Sequence, residues 1–509
     1  MLATTRTFSL LGVSARDVTV EVDVRRGLAN FAIVGLPDRA IRESRERVRA
    51  AIDNSGFRFP QQRITVNLAP ASLRKVGPSF DLAIAAGILI ASEQLPGIAL
   101  DGCALAGELA LDGGIRPVPG TLPMVEQAHR RGLEKIAVPA AVAAEATAAI
   151  RLGLESPAVV PLDGLAELEQ IGTDSEPRCD PSAADAGSTG ESNGADPAAG
   201  LDLADLRGQP YLRRALEISA AGGHGLLMIG PPGAGKSLAA RRLPSILPPL
   251  SGPESLEVLR VASACGGRVD GLPRRPFRAP HHTISAAALV GGGSPPRAGE
   301  ITLAHRGVLF LDELGEFDRA TLEALRQPLE EGRVLIARAQ GRLELPARFV
   351  LAAAANPCPC GRGERDGECS CTPFSVRRYE AKLSGALADR IDIVLAVEQP
   401  DADAMASGAG EGSAAVRERV SAARERQSRR LAGRTNGEMT PAETRNLCEL
   451  TSAAAGLLAA GHARYRLSGR GHDRVVRVAR TIADLEGAER IEERHVGEAL
   501  SLRRRPEQR

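Results

Sequence analysis

The sequence predicts a mixed chain in three parts: an N-terminal α+β domain, an α/β core built on a parallel sheet, and a small C-terminal helical lid. Three observations predict it. From Leu201 to about Gln399, short buried apolar strands alternate with helix-compatible stretches, as in a parallel sheet covered by helices. Ahead of this core, Thr173 to Gly200 is mostly Ala, Gly, Ser and Asp, with too few large apolar side chains to order itself. Beyond the core, strand patterns cease and helical ones continue to Arg509. The expected organisation is a domain at 1–172, a disordered acidic linker at 173–200, the core at 201–400 and the lid at 401–509.

In the first domain, Val18 to Val24 alternates as a half-buried strand does, and Arg63 to Leu68 reads as another. Asp38 to Ser55 has helical periodicity with charges, and Asp81 to Ser92 reads as a buried helix. In the core, apolar strands are expected at Leu226 to Ile229, Val308 to Leu311, Phe349 to Ala353 and Ile391 to Val397. Arg333 to Phe349 reads as two short strands turning around Gln340-Gly341, a hairpin. A second soft segment at Ser407 to Ser413 leads to lid helices at Val416 to Leu431, Pro441 to Ala460 and Asp473 to Leu485.

Composition narrows the function classes. With 43% apolar and 25% charged residues the chain matches average soluble proteins. Its longest apolar run, Leu82 to Ala91, is about half of what crosses a bilayer. No basic segment followed by an apolar core opens the chain, so a cytoplasmic location without membrane contact is expected. The net charge of +1 gives no global positive field, so any nucleic-acid surface has to be a local stripe or a pore lining. Only four lysines occur, Lys75, Lys135, Lys236 and Lys382, against an abundance of arginine, which marks Lys236 as a place where a compact ammonium is wanted.

Lys236 belongs to a strong motif. Gly230, Pro231, Pro232, Gly233, Ala234, Gly235, Lys236 and Ser237 follow an apolar strand and open a helix, the context of a phosphate-binding loop for ATP. Glycines let backbone amides converge on phosphate, the helix presents its positive end, Lys236 neutralises β and γ oxygens, and Ser237 ligates Mg²⁺. The strand Val308 to Leu311 ends in Asp312 and Glu313, placed to hold the Mg²⁺ shell and to polarise an attacking water. A third strand delivers Asn356, whose amide could orient that water. Four of the eight cysteines fall in two close pairs, Cys358/Cys360 and Cys369/Cys371, and four thiolates close a tetrahedral Zn²⁺ site. Zinc is the expectation and four unligated thiols the alternative, since Cys-x-Cys is tighter than the usual Cys-x-x-Cys.

These strand ends, together with Leu383-Ser-Gly-Ala-Leu-Ala-Asp-Arg390-Ile-Asp and Leu467-Ser-Gly-Arg-Gly-His-Asp-Arg474-Val-Val-Arg477, resemble the magnesium-chelatase-like AAA+ proteins of the ComM (YifB) family over nearly the whole chain. The resemblance implies that Asn356 is sensor 1, that Arg390 is an arginine finger given to a neighbour's γ-phosphate, and that Arg477 is sensor 2, with Arg474 competing for that role. It implies a homo-hexameric ring acting as an ATP-dependent DNA helicase or translocase in branch migration during natural transformation, with single-stranded or branched DNA and recombination proteins as partners. Arg338 and Arg342, near the hairpin tip, could then track a phosphate backbone in the pore. Arg274 to Gly299 looks like the helix-2 insert of the group, and its His281 and His282 are expected to be structural.

The first domain resembles the Lon proteolytic domain, an S5-like α+β fold. Arg74-Lys75-Val-Gly-Pro-Ser79 matches the nucleophile motif, with Ser79 on the nucleophile, and Ala106 to Gly120 matches the segment before the catalytic lysine. The lysine position is Leu122, which cannot act as a base, and neither Lys75 nor Lys135 falls at the expected offset. A domain without protease activity follows. Two readings stand beside the DNA motor: the motor subunit of a metal chelatase, which shares the ATPase core, and an ATP-dependent protease, which Leu122 opposes.

Overall fold

The computed structural model describes the chain except residues 154–156, 174–199, 268–272, 294–296, 339–340, 364–368, 384–386, 388–389, 401–402, 404–409 and 504–509. The expected linker thus lies outside the described residues, apart from its ends, as do Gln340 at the hairpin turn and residues 407–409 of the soft segment before Ser413. No helix among the described residues is long and apolar enough to cross a membrane.

The N-terminal part is a seven-stranded mixed sheet in the order Asn30–Val34, Arg63–Ala69, Ser14–Arg25, Leu2–Leu11, Cys103–Leu105, Lys135–Pro139, Ala158–Leu162. Alternation sets its register: Val18, Val20, Val22 and Val24 are all buried on one face. The helix Arg39–Asn54 is bounded as its end residues dictate, with the Asp38 carboxylate accepting from the Ile41 N–H at 2.9 Å. Asp81–Ala91 is buried along its whole length. Its first residue, Asp81, is held by Ser44 and by Arg47 at 2.8 Å.

The core is a five-stranded sheet in the order Phe277–Arg278, Val308–Leu311, Val350–Ala355, Leu226–Ile229, Ile393–Ala396, with every neighbouring pair parallel. The three strands expected to carry chemistry are therefore adjacent and end at one edge, where open α/β sheets bind ligands. Helices Pro210–Gly222 and Lys236–Ile246 share a hydrophobic cluster with the lid helices Ser413–Leu431 and Gly469–Glu486. The hairpin is present as Arg333–Arg338 paired with Gly341–Pro346.

The lid departs from expectation in one place. Pro441 to Ala460 is not a single helix but two, Pro441–Leu447 and Ser452–Tyr465. The chain between them pairs Leu450 with Ile491 in a bridge, and the Thr451 hydroxyl caps the second helix through the Ala454 N–H.

The first domain docks on the core through the helix Thr121–Arg130 against Gly252–Ala264. Glu126 and Arg260 form two contacts of 2.7 Å, and the Leu122 N–H donates to Ser263 Oγ at 3.2 Å. The Leu122 side chain is fully buried in one cluster with Leu259 of the core.

Candidate active site

Gly233 and Gly235 take left-handed φ values of 80° and 85°, which curl the loop so that helix Lys236–Ile246 begins under it. Lys236 is buried, and its ammonium donates to the carbonyls of Gly230 at 2.6 Å and Pro231 at 2.8 Å and to Asn356 Oδ1 at 3.4 Å. Burial pushes this ammonium below the usual lysine range, opposed by the negative charge of Asp312. Ser237 Oγ donates to Asp312 Oδ2 at 2.7 Å. A hydroxyl and a carboxylate in contact are a donor set that suits Mg²⁺. Lys236, Ser237, Asp312 and Asn356 are thus brought together from three strand ends.

Glu313 lies beside them at φ 53°, with its carboxylate 3.4 Å from His282 Nδ1. The His282 ring lies against that of His281, tilted by 34° with centroids 4.1 Å apart, and meets the edge of Phe317 at 6.4 Å. The histidines were expected to be structural, and their ring contacts agree with that, while His282 also stands next to the Glu313 carboxylate. No spacing in the sequence signals it, because His282 arrives from a Gly- and Pro-rich stretch without periodicity.

Arg390, Arg474 and Arg477 lie elsewhere. They line a cleft of 540 Å³ together with Gly225, Gly307 and Val350, which precede or begin core strands. That is the amino edge of the sheet, a strand length of about 13 Å from the phosphate-binding loop. Arg390 pairs with Glu330 at 2.7 Å, Arg474 with Asp392 at 3.3 Å, and Arg477 donates to the carbonyls of Gly437 at 2.9 Å and Met439 at 3.2 Å. Nine arginines and six carboxylates line the cleft. Burial, followed by the charge of Arg275, pushes Arg424 down to about 10.

Cys358, Cys360, Cys369 and Cys371 converge, with all four sulfurs within 4.8 Å of one another. Arg338 and Arg342 sit at the turn end of the hairpin ladder, where Arg338 pairs with Gly341 and Ala337 with Arg342. In the first domain, Lys75 is buried with its ammonium on the carbonyls of Gly35, at 3.0 Å, and Pro70. Burial lowers its pKa.

Three family profiles cover the chain: magnesium chelatase, subunit ChlI, over residues 202–405; subunit ChlI of Mg-chelatase over 20–142; and the ChlI C-terminal family over 410–503. Protein YifB of Salmonella typhimurium is 43% identical across 99% of this chain and 97% of its own. The competence protein ComM of Haemophilus influenzae is 40% identical across 97% of this chain and 96% of its own. The chain belongs to the ComM (YifB) family of magnesium-chelatase-like AAA+ proteins. The Lon likeness is weaker and partial: Lon protease 2 of Bacillus subtilis is 29% identical over 22% of this chain and 21% of its own. As a ComM (YifB) member the chain is placed in an AAA+ ATPase group, in keeping with the Ser237–Asp312 contact and with Lys236 bonded to the loop carbonyls and Asn356.

Proposed function

We propose that this ComM (YifB) member is a ring-forming, ATP-driven DNA motor of the helicase and branch-migration type. One observation carries the ring: the chain's phosphate-binding edge and its arginine edge lie at opposite ends of one sheet, so a complete site needs two copies. ATP would exchange its phosphate oxygens for the Gly230 and Pro231 carbonyls at Lys236. Ser237 and Asp312 would hold Mg²⁺, which supplies charge neutralisation at the phosphates. Glu313 would take a proton from water, and Asn356 would orient that water. Arg390, as finger, and Arg477, as sensor 2 with Arg474 behind it on Asp392, would meet the phosphates of the next subunit. Cys358, Cys360, Cys369 and Cys371 are read as a Zn²⁺ site.

DNA as the substrate is supported by the arginine-bearing turn of the 333–346 hairpin and by kinship with a competence protein. Contacts by Arg338 and Arg342 would be to phosphates and so salt-sensitive rather than sequence-selective. The test is the ATPase rate with and without single-stranded, forked and four-way DNA, with Lys236→Ala as the blank, followed by strand displacement on the branched substrates. Stimulation and unwinding are expected. An active ATPase indifferent to every DNA would replace this reading with the chelatase-type motor, which the ChlI profiles favour as the second reading. The protease reading is opposed by Leu122, buried where a catalytic lysine would need to be.

A further inference from the structure

We propose that the four-cysteine site is a latch on the ATPase centre: one Zn²⁺ on Cys358, Cys360, Cys369 and Cys371 braces the phosphate-binding loop and Asn356, and its loss stops turnover before it stops ATP binding. The latch rests on the zinc reading above and is independent of the DNA reading.

The sulfurs are disposed for a single metal. Cys358 Sγ lies 3.3 Å from Cys360 Sγ and 3.7 Å from Cys369 Sγ, and Cys360 and Cys369 are 3.6 Å apart. A tetrahedron with Zn–S bonds of about 2.3 Å has edges of about 3.8 Å. A disulfide would need about 2.05 Å. Two backbone amides point at the sulfurs, Cys360 N–H at Cys371 Sγ and Gly363 N–H at Cys358 Sγ, each at 3.3 Å. Such donors stabilise thiolates, whereas a neutral thiol is a weak acceptor. Gly361 and Gly363, at φ 83° and 71°, make the left-handed turns that aim these amides.

The knuckle touches the catalytic apparatus on both sides. A Cβ placed on Gly361 would fall 3.0 Å from Pro232 Cγ and 3.9 Å from Asn356 Cγ, so the backbone of the turn rests against the phosphate-binding loop and the sensor residue. Cys358 itself follows Asn356-Pro357 at the end of Val350–Ala355. On the other side, Cys369 and Cys371 lead into the helix Pro373–Leu383. Its Tyr379 ring covers Gly315, where a Cβ would fall 2.2 Å from the ring, and Lys382 Nζ donates to the Gly315 carbonyl at 2.9 Å. Gly315 follows Asp312 and Glu313 in the loop after the acid-bearing strand. A metal joining the two cysteine pairs therefore ties together the three loops whose spacing defines the site.

The experiment uses the full chain, purified under reducing conditions without chelator, with metal content by mass spectrometry, DNA-free ATPase rates, and binding of a fluorescent ATP analogue. One zinc per chain is expected. Cys369→Ser should lose the zinc and lower kcat by about tenfold or more, while analogue affinity changes by less than about threefold, because displacement of positioned groups costs rate more than binding. Gly361→Ala, strained at positive φ and pressed on Pro232, should keep the zinc and still lower kcat. Cys265→Ser, an exposed cysteine away from the cluster, is the control and should change neither. If Cys369→Ser fails to fold, zinc is stripped from the wild-type chain with a mercurial and restored: turnover should fall and return. Absence of stoichiometric metal, or iron in its place, overturns the zinc site. Zinc present with full turnover in Cys369→Ser overturns the latch and leaves the metal assignment standing.

Discussion

Glu313 occupies a left-handed backbone position that costs a non-glycine residue about 1 kcal/mol or more, so its surroundings must over-determine it. Its N–H donates to Asp312 Oδ1 at 3.0 Å, its carbonyl accepts from the Glu316 N–H at 2.8 Å, and its carboxylate meets His282. If Glu313 is the base, Glu313→Gln keeps ATP binding and loses turnover by about 10²-fold or more; wild-type turnover would remove it from that role. If His282, 3.4 Å away, orients the carboxylate, His282→Ala should lower kcat by about threefold to tenfold with KM for ATP unchanged, and His282→Asn, which can still donate, should recover part of it. An unaltered rate in His282→Ala would reduce the contact to packing. Lys236, Ser237, Asp312 and Asn356 were legible beforehand because each stands at a fixed offset from a buried strand, and adjacency of the strands does the rest. His282 was not, because its contact with Glu313 is made only in space, across a stretch that carries no period to read.

At the scale of elements, strands bounded by turn residues were legible nearly to the residue: Leu226–Ile229 and Val308–Leu311 stand as expected. The break in Pro441 to Ala460 was missed: Thr451 is a helix-start residue type, but the interruption itself is fixed by the pairing of Leu450 with the distant Ile491. The same kind of long-range contact fastens the lid to the core. His224 is fully buried, with Nδ1 3.1 Å from Asp392 Oδ2 and Nε2 2.8 Å from Thr481 Oγ1, and Arg474 reaches the other Asp392 oxygen. Burial alone would push the Asp392 carboxyl up. The His224 hydrogen bond and charge, with the charges of Arg477 and Arg474, outweigh burial and bring it down to about 2. Since the folded value lies below the unfolded one of about 3.9, the stability it contributes is present above pH 4 and lost as pH falls through 2. Asp392→Asn should therefore be less stable than wild type at neutral pH by about 2 kcal/mol and show a shallower loss between pH 4 and pH 2, followed by circular dichroism. Parallel acid limbs for the two proteins would discard this account.

For the whole molecule, the decisive relation is that Lys236 and Arg390 belong to opposite edges of one sheet. The arginine cleft, with more cations than carboxylates, attracts an anion that its own chain's phosphate-binding loop does not present to it. In the proposed ring, a head-to-tail arrangement of identical copies would place the loop edge of one against the cleft of the next, and such heterologous contacts close into rings when the rotation permits. Lys236→Ala and Arg390→Ala chains are each expected to be inactive alone, one for want of the phosphate-binding ammonium and the other for want of its neighbour's partner group. Mixed in equal amounts and allowed to exchange, they form junctions in which an Arg390→Ala chain supplies the intact loop and a Lys236→Ala chain supplies the intact finger. Random assortment makes about one junction in four complete, so the mixture should regain up to about a quarter of the wild-type ATPase rate. An arginine that served its own chain's nucleotide would leave every junction of the mixture defective. Recovery in the mixed sample thus separates a site shared between copies from one contained in a single chain, whatever substrate the ring moves.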